Sequence, residues 1–368
     1  METLKIKDVV KVLEKLAPLA YQEDYDNAGL LTGHPEDELK GILLCLDSTE
    51  DVLDEAIEKG CNMVIAHHPI IFRGLKRING NNYVERVIIK AIRNNIAIYA
   101  AHTNLDNVLA QGVNWKFAQK IGLQDLKILD PKRGQLVKVV VYSPAGDAER
   151  VRQAMFDAGG GKIGLYDECS YSVTGQGSFR GLEGANPAVG EKGKRETVDE
   201  LRIEILVPSY LSSQVVKAAR TVHPYEEMAY DVVVLDNLHQ GIGSGVVGTL
   251  EKALPTADFL ELLKREFKTG VIRHTTFGGN ISKVALCGGA GSFLTKRALA
   301  EKVDAFVTSD LKYHEFFDAD NQMLLCDIGH YESEISTLEI FYEVIRESFP
   351  NFAVAFCKSS TNPVQYYK

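Results

Sequence analysis

The sequence lacks the features that mark several large classes of protein. It has no run of basic residues, and 41 lysines and arginines against 50 aspartates and glutamates give a net charge of −9. This balance argues against nucleic acid or an anionic membrane surface as partner. No apolar run approaches the roughly 18 residues that a membrane span needs. The six cysteines form no CxxC pair and no regular spacing, as a zinc ribbon or a disulfide framework would require. We therefore expect a cytoplasmic protein in a reducing compartment.

What the sequence does contain is a series of short apolar runs, each followed by a polar or glycine-rich break and a helical pattern. Runs that are apolar on both faces and alternate with amphipathic helices are typical of buried parallel strands in an α/β fold. The predicted strands are 42–47, 62–66, 96–100, 283–287, 305–309 and 323–327. The first connection predicts a helix from about Thr49 to Lys59, with Ser48 as its cap.

The middle of the chain has a different pattern. Between residues 136 and 235 the order strand, helix, strand, strand, helix, strand is close to a doubled βαβ unit of ferredoxin-like type. The glycine-rich stretch 241–248 is interpreted as a hinge after which the α/β pattern resumes. We therefore predict a discontinuous α/β core of two similar halves, 1–130 and 241–368, with an inserted α+β domain at 131–240.

Three segments place histidines and carboxylates directly after predicted strands. They are AHHPIIF with His67 and His68, AHTNLD with His102 and Asp106, and DIGHYESE with His330 and Glu334. In open α/β sheets, ligands bind at the carboxyl ends of the strands.

The spacing of these residues indicates a metal site. His330 and Glu334 are four residues apart at the start of a helix predicted at about 331–347, so both side chains point from one face. His67, His68 and Asp106 complete a set of three histidines and two carboxylates. This is too many ligands for one tetrahedral site and suits two ions about 3.5–4 Å apart, bridged by a carboxylate and a water. The ligand types fit Zn, Mn, Fe or Co.

Other candidates leave alternatives open. His102 and the pair Asp310 and His314 could support the ligands, contact substrate or be structural. CGGAGS (287–292) could cradle a phosphate, although a lone glycine-rich turn is more often only a tight strand-to-helix connection.

Several of these motifs resemble those of a known family. DNAGLLTG (26–33), the three histidine segments and TSDLKYHE (308–315) together resemble the Nif-three-like dinuclear metal centre proteins, which are type 2 GTP cyclohydrolase I homologues. The middle, with residues 166–187 and HPYEEMAYDV (223–232), is similar to the PII-like or CutA-like insertion of the longer bacterial members. The resemblance covers nearly the whole chain.

The resemblance implies a toroidal homohexamer with pairs of metal ions facing an internal cavity and the inserted domains toward its ends. Carried over position by position, it assigns His68, Asp106 and Glu334 to one ion, and His67, His330 and Glu334 to the other. Two divalent ions per chain are thus expected, with Zn first and Mn, Fe or Co as alternatives.

Two functions follow as hypotheses. The first is a metal-dependent hydrolase, in which hydroxide would attack C8 of GTP and release formate, with His102 or His314 as proton carrier. Nothing in the sequence singles out guanine, and a two-metal phosphoesterase would use the same ligands. The second is an assembly without catalysis that stores or delivers metal or senses a metabolite. The expected partners are further copies of the chain and a small molecule or nucleotide.

Overall fold

The computed structural model describes residues 3–367, and the chain divides into two compact units. The first unit runs to Pro131 and resumes at Gln240, and the second comprises Lys132–His239. The first unit is a discontinuous α/β core, and the second is the inserted domain. Elements are numbered in chain order below.

The first half of the core alternates helices and short strands. Its elements are α1 (Ile6–Leu16), β1 (Gly29–Thr32), β2 (Ile42–Cys45), α2 (Glu50–Glu58), β3 (Met63–Ala66), α3 (Tyr83–Arg93), β4 (Ala97–Ala100), α4 (Thr103–Asp106), α5 (Val113–Lys120) and β5 (Leu123–Pro131).

The inserted domain has the order that the sequence predicts. Its elements are β6 (Leu136–Pro144), α6 (Ala148–Asp157), β7 (Ser170–Arg180), β8 (Arg195–Pro208), α7 (Ser212–Val222) and β9 (Tyr230–Val234). The four strands form one antiparallel sheet in the order β7-β8-β6-β9. This βαββαβ order and sheet order are those of a ferredoxin-like fold.

The second half of the core completes the chain. Its elements are β10 (Gly243–Pro255), α8 (Thr256–Phe267), β11 (Arg273–His274), β12 (Asn280–Ala290), α9 (Thr295–Ala300), β13 (Ala305–Ser309), β14 (Leu324–Asp327), α10 (His330–Glu334), α11 (Thr337–Ser348) and β15 (Val354–Phe356).

The two halves of the core build similar sheets. One sheet has the order β1-β4-β3-β2-β15 and the other β11-β14-β13-β12-β10-β5. In each, three adjacent strands run parallel, β4-β3-β2 and β14-β13-β12, and an antiparallel strand lies at the edge, β1 or β11. The carboxyl ends of the parallel strands therefore share an edge within each sheet.

Both faces of the first sheet are covered, which explains its continuous apolar strands. Leu44 and Ile65 pack with residues of α1 and α11 on one face. The alternate residues Leu43 and Val64 pack with α2 and α3 on the other. Successive side chains in a strand point to opposite faces, so a sheet buried on both sides needs apolar residues at every position.

Three local predictions were wrong. The N-cap of α2 is Thr49, whose side chain accepts the N–H of Val52, and not Ser48. The predicted helix 331–347 is two helices, α10 and α11, which meet at Ile335 and Ser336. The predicted hinge 241–248 lies largely in β10, because Gly243–Gly248 pair with β5 and β12.

Within residues 3–367, no helix has the length and apolar character required to cross a membrane.

Candidate metal centre

The ends of three parallel strands position the candidate ligands. His67 and His68 follow β3, His102 follows β4 with Asp106 at the end of α4, and α10 follows β14 and carries His330 and Glu334. The five residues predicted as metal ligands, together with His102, are brought together by the fold. Their ligand atoms fall into overlapping groups, two of which contain Glu334.

The first group consists of His68, His330 and Glu334 and is called the open group here. The Nε2 atoms of His68 and His330 each lie 3.0 Å from Oε2 of Glu334 and 3.3 Å from each other. The side chains of His68 and His330 are 22% and 38% exposed, whereas that of Glu334 is 4% exposed. Solvent therefore reaches this group.

The second group consists of His67, Asp106 and Glu334 and is called the buried group here. Nε2 of His67 lies 3.7 Å from Oδ1 of Asp106 and 3.7 Å from Oε1 of Glu334, too far for a hydrogen bond. The Nδ1 atom of His67 lies 2.8 Å from the carbonyl oxygen of Ala101 and must donate to it, so Nε2 presents a lone pair. Both Nε2 of His67 and Oδ1 of Asp106 are buried without a hydrogen-bond partner.

This arrangement fits a metal ion. A buried acceptor without a donor carries an unmet desolvation cost, and here two such acceptors face each other. A cation between His67 and Asp106 would satisfy both lone pairs at once. Neutral imidazole and carboxylate are the ligand types of Zn and of other first-row divalent ions.

The grouping differs from the ligand sets that the resemblance implied. His68 lies with His330, and His67 lies with Asp106, whereas the expected sets paired His68 with Asp106 and His67 with His330. The reason is the local geometry of adjacent residues after β3, which directs the buried His67 toward α4 and the more exposed His68 toward α10. Glu334 remains the residue common to both groups.

Each histidine of the centre is oriented through its Nδ1 atom. His68 contacts Asp47, His102 contacts Asp26 and His330 contacts Asp310, each at 2.7 Å. Such carboxylate partners fix the ring orientation and tautomer of metal-ligating histidines. The structure places Asp310 in contact with the candidate ligand His330, which is the supporting role among those left open.

Asp47 and Asp26 were missed by the sequence reasoning. Asp47 ends the apolar run ILLCLD after β2, and Asp26 opens the DNAGLLTG motif. Asp47 could have been identified by its position, because it is a carboxylate just after β2, the strand next to β3. Asp26 is fixed by the N–H and the hydroxyl of Thr103, and although burial raises its pKa, the hydrogen bond with His102 and these contacts lower it to about 2.

His314 does not lie with the other candidates. It belongs to a 3₁₀ segment, Tyr313–Ala319, and its ring contacts those of Tyr313 and Phe317. None of the ligand groups formed by the described residues includes it. The prediction that His314 carries protons therefore gains no support from its position within one chain.

The glycine-rich end of β12, which contains Gly289, supports Glu334. A Cβ atom at Gly289, where φ is +61°, would overlap with Oε1 of Glu334. The N–H of Gly289 donates to the hydroxyl of Ser333, and its carbonyl accepts from Ser309 at 2.6 Å. Glycine lets the backbone approach this closely. The end of β12 thus holds the shared carboxylate.

The candidate ligands shift one another's pKa values. Burial lowers the pKa of His68 and His330, but Asp47 and Glu334 raise the first to about 9, and Asp310 and Glu334 raise the second to about 11. Burial raises the pKa of Glu334, yet the facing histidines hold it well below its usual value. Burial, with the charge of Glu334, raises that of Asp106. Burial lowers that of His67. A cation bound at this site would therefore compete with protons for His68 and His330.

Two cavities give access to the centre. One, of about 470 Å³, is lined by Asp47, His68 and His330 of the open side. The other, of about 220 Å³, is lined by His102, Asp106 and Glu334.

Comparison with known proteins identifies the family of this chain. The sequence model of the Duf34/NIF3 (NGG1p interacting factor 3) family matches residues 4–363. The chain belongs to the Duf34/NIF3 family. This confirms the resemblance stated from the sequence motifs.

Relatives and solved structures match along the chain. A Bacillus subtilis protein named GTP cyclohydrolase 1 type 2 homolog is 38% identical over 334 residues, 89% of each chain. A Mycobacterium tuberculosis protein of the same name is 34% identical over 369 residues, covering 98% of this chain and 97% of its own. The crystal structure of a Bacillus cereus protein related to NIF3 is 35% identical, with a TM-score of 0.85 and full coverage of both chains. A Staphylococcus aureus protein structure is 29% identical with a TM-score of 0.79, again with full coverage.

Proposed function

We propose that this NIF3-family protein binds two divalent metal ions per chain and uses them as a hydrolase. The observation that carries the proposal is the facing pair of buried, unpartnered acceptors on His67 and Asp106, beside a carboxylate shared with a second ligand group. Zn is proposed first, with Mn, Fe or Co as alternatives, because imidazole nitrogens and carboxylate oxygens are of borderline softness.

Glu334 is the residue expected to join the two ions. Its Oε1 faces the buried group and its Oε2 faces the open group. The ions held there would supply a Lewis acid and, by lowering the pKa of a bound water toward ~7, a nucleophile at neutral pH.

His102 is the proposed proton carrier. Asp26 contacts its Nδ1, so a proton is held on that atom and Nε2 is left to accept or return one. Its ring centroid lies 5.3 Å from that of His67 and 5.5 Å from that of His68. His102 also lines the 220 Å³ cavity beside Asp106, where a substrate would meet it.

GTP is the substrate that the names of the relatives suggest. One feature argues against a triphosphate bound by one chain alone. Among the described residues that line the two cavities, Arg273 is the only lysine or arginine, and it is already paired with Asp327. Since phosphates are bound chiefly by cations and N–H donors, a less highly charged substrate fits this chain equally well.

The second candidate function is metal delivery or metabolite sensing without catalysis. The inserted domain favours it, because that domain has its own cavity of about 430 Å³, lined among others by Tyr142, Phe179, Arg180 and Tyr225. Cavities of this size with aromatic walls suit small-molecule ligands.

One experiment separates the two functions. Protein loaded with Zn, Mn or Fe to graded occupancy is assayed with GTP and with a panel of phosphoesters. A hydrolase gives turnover proportional to the occupied sites, and His102→Ala lowers turnover while leaving the metal content unchanged. Full occupancy without turnover on any substrate would overturn the hydrolase proposal and favour the second function.

We also propose self-association as a toroidal homohexamer, as the resemblance to the family implies. Light scattering coupled to size-exclusion chromatography tests it: a mass near six times 40.7 kDa supports the hexamer, and a monomer overturns it.

A further inference from the structure

A segment that follows β15 is fixed to the core by one buried carboxylate. Glu55 of α2 is 8% exposed. Its oxygens accept the N–H of Lys358 at 3.0 Å and of Ser359 at 3.3 Å, and the Sγ–H of Cys357 at 3.1 Å. Residues 357–366 are called the anchored segment below. Charge-assisted hydrogen bonds of this kind are stronger than neutral ones, so the start of the segment is held firmly.

From this anchor the segment reaches the carboxylate that orients a candidate metal ligand. The hydroxyl of Thr361 donates to Oδ2 of Asp47 at 2.7 Å. The other oxygen of Asp47, Oδ1, lies 2.7 Å from Nδ1 of His68. With both oxygens engaged, the carboxylate cannot rotate without breaking one hydrogen bond. Thr361 thereby fixes the plane of Asp47 and, through it, the ring of His68.

The rest of the segment lies along the open side of the metal centre. Asn362, Val364 and Tyr366 line the same 470 Å³ cavity as His68 and His330. Asn362 donates to Glu332 at 3.2 Å and accepts the N–H of Val364 at 3.0 Å, which gives this stretch a defined path. The side chain of Tyr366 lies over Gly270, where a Cβ would come within 3.2 Å of its ring.

We propose that the anchored segment positions the open group, with Thr361 acting through Asp47 on His68, and that it slows the release of the ion bound there. The proposal rests on the proposed two-metal function. It concerns the open group alone, because the buried His67 is oriented by the carbonyl of Ala101 and makes no use of Asp47.

The test follows the release of zinc from the fully loaded protein into an excess of a coloured chelator. In Thr361→Val the hydroxyl is lost at nearly constant shape, and we expect the faster-released ion to leave about 10-fold sooner, at the low end of the 10–100-fold effects of outer partners. The slower ion should leave at the wild-type rate. Thr361→Ser keeps the hydroxyl and should restore the wild-type rate. Thr249→Val, at an exposed position on β10, is the matched control.

This test distinguishes failure of the positioning role from failure of the proposed function. Wild-type protein that holds no zinc overturns both proposals. Wild-type protein that holds two ions, with equal release from Thr361→Val and wild type, overturns the positioning role alone. Equal acceleration in Thr361→Ser and Thr361→Val would also overturn it, because the effect would then not depend on the hydroxyl. Acceleration of both ions would contradict the restriction to the open group.

Discussion

The open and buried groups share Glu334, but their histidines differ in exposure: the side chains of His68 and His330 are 22% and 38% exposed, whereas that of His67 is fully buried. In the open group, Nε2 of His68 and Nε2 of His330 each lie within hydrogen-bond distance of Glu334, and aspartates hold the proton on Nδ1 of both rings. In the buried group, Nε2 of His67 and Oδ1 of Asp106 have no partner. The open group can therefore exist with protons in place of an ion, whereas the buried group is incomplete without a cation. This difference predicts one exchangeable and one tightly held ion.

The largest effect is expected from replacing Glu334, the residue that both groups share. Glu334→Gln keeps the shape but loses the charge, and an amide is a poor bridge between two cations. We expect both ions to bind more than about 100-fold more weakly, since outer partners alone change affinity by about 10–100-fold. Metal per chain is measured by elemental analysis, with the exposed Glu261→Gln as control. Two ions at wild-type affinity in Glu334→Gln would contradict the bridging role.

The next prediction separates the groups. His67→Ala should empty the buried group and His330→Ala the open group, because each residue belongs to only one of the two. Crystals of both variants, with anomalous scattering to locate the metal, show which ion survives. The ligand sets implied by the family resemblance make the opposite prediction, since they place His67 and His330 on the same ion. Loss of the same ion in both variants would therefore restore that assignment.

A smaller effect is expected from Gly289, at the end of β12 that holds Glu334. Gly289→Ala introduces strain of about 1–3 kcal/mol at a positive φ and displaces the shared carboxylate. Gly60→Ala is the matched control, because Gly60 has φ of +68° and open space around its Cα. We expect both variants to lower the melting temperature and only Gly289→Ala to lower metal affinity. Equal affinities in the two variants would leave Gly289 with a purely conformational role.

The last prediction concerns pH. The pKa of His68 is about 9, above the ordinary value for histidine. A metal that binds at pH 7 must therefore displace the proton of His68, whereas above pH 9 that proton is already lost. His330, with a pKa of about 11, adds a second proton. For each proton that the metal displaces, metal affinity increases about tenfold per unit rise in pH. His67→Ala, which keeps both histidines of the open group, should thus show a steeper rise between pH 7 and 9 than His330→Ala, whose buried group has at most one such proton, on Asp106. Equal slopes, measured by chelator competition, would contradict the difference between the groups.

Much of the fold could be predicted from the sequence because its strands are buried on both faces. Continuous apolar runs identified β2, β3, β4, β12, β13 and β14. The five ligand candidates followed from their positions after such strands and from the four-residue spacing of His330 and Glu334.

The remaining features depend on contacts that sequence patterns do not encode. Which of two adjacent histidines faces α4 is decided by how the chain turns after β3. The contact between Gly289 and Glu334 joins residues from different elements, and the helix break at Ile335 interrupts a continuous helical pattern. These are tertiary effects, which local propensity and periodicity do not contain.

The distance along the chain between the ligands sets when the centre can form during synthesis. His68 precedes Glu334 by 266 residues. At roughly 5–20 residues per second, the ribosome adds the shared carboxylate about 13–53 s after the histidine pair has been made. During that interval the nascent chain displays His67, His68 and Asp106 without the residue that joins them. We expect ion loading to be an event of the finished chain, so that an incomplete polypeptide cannot retain the metals.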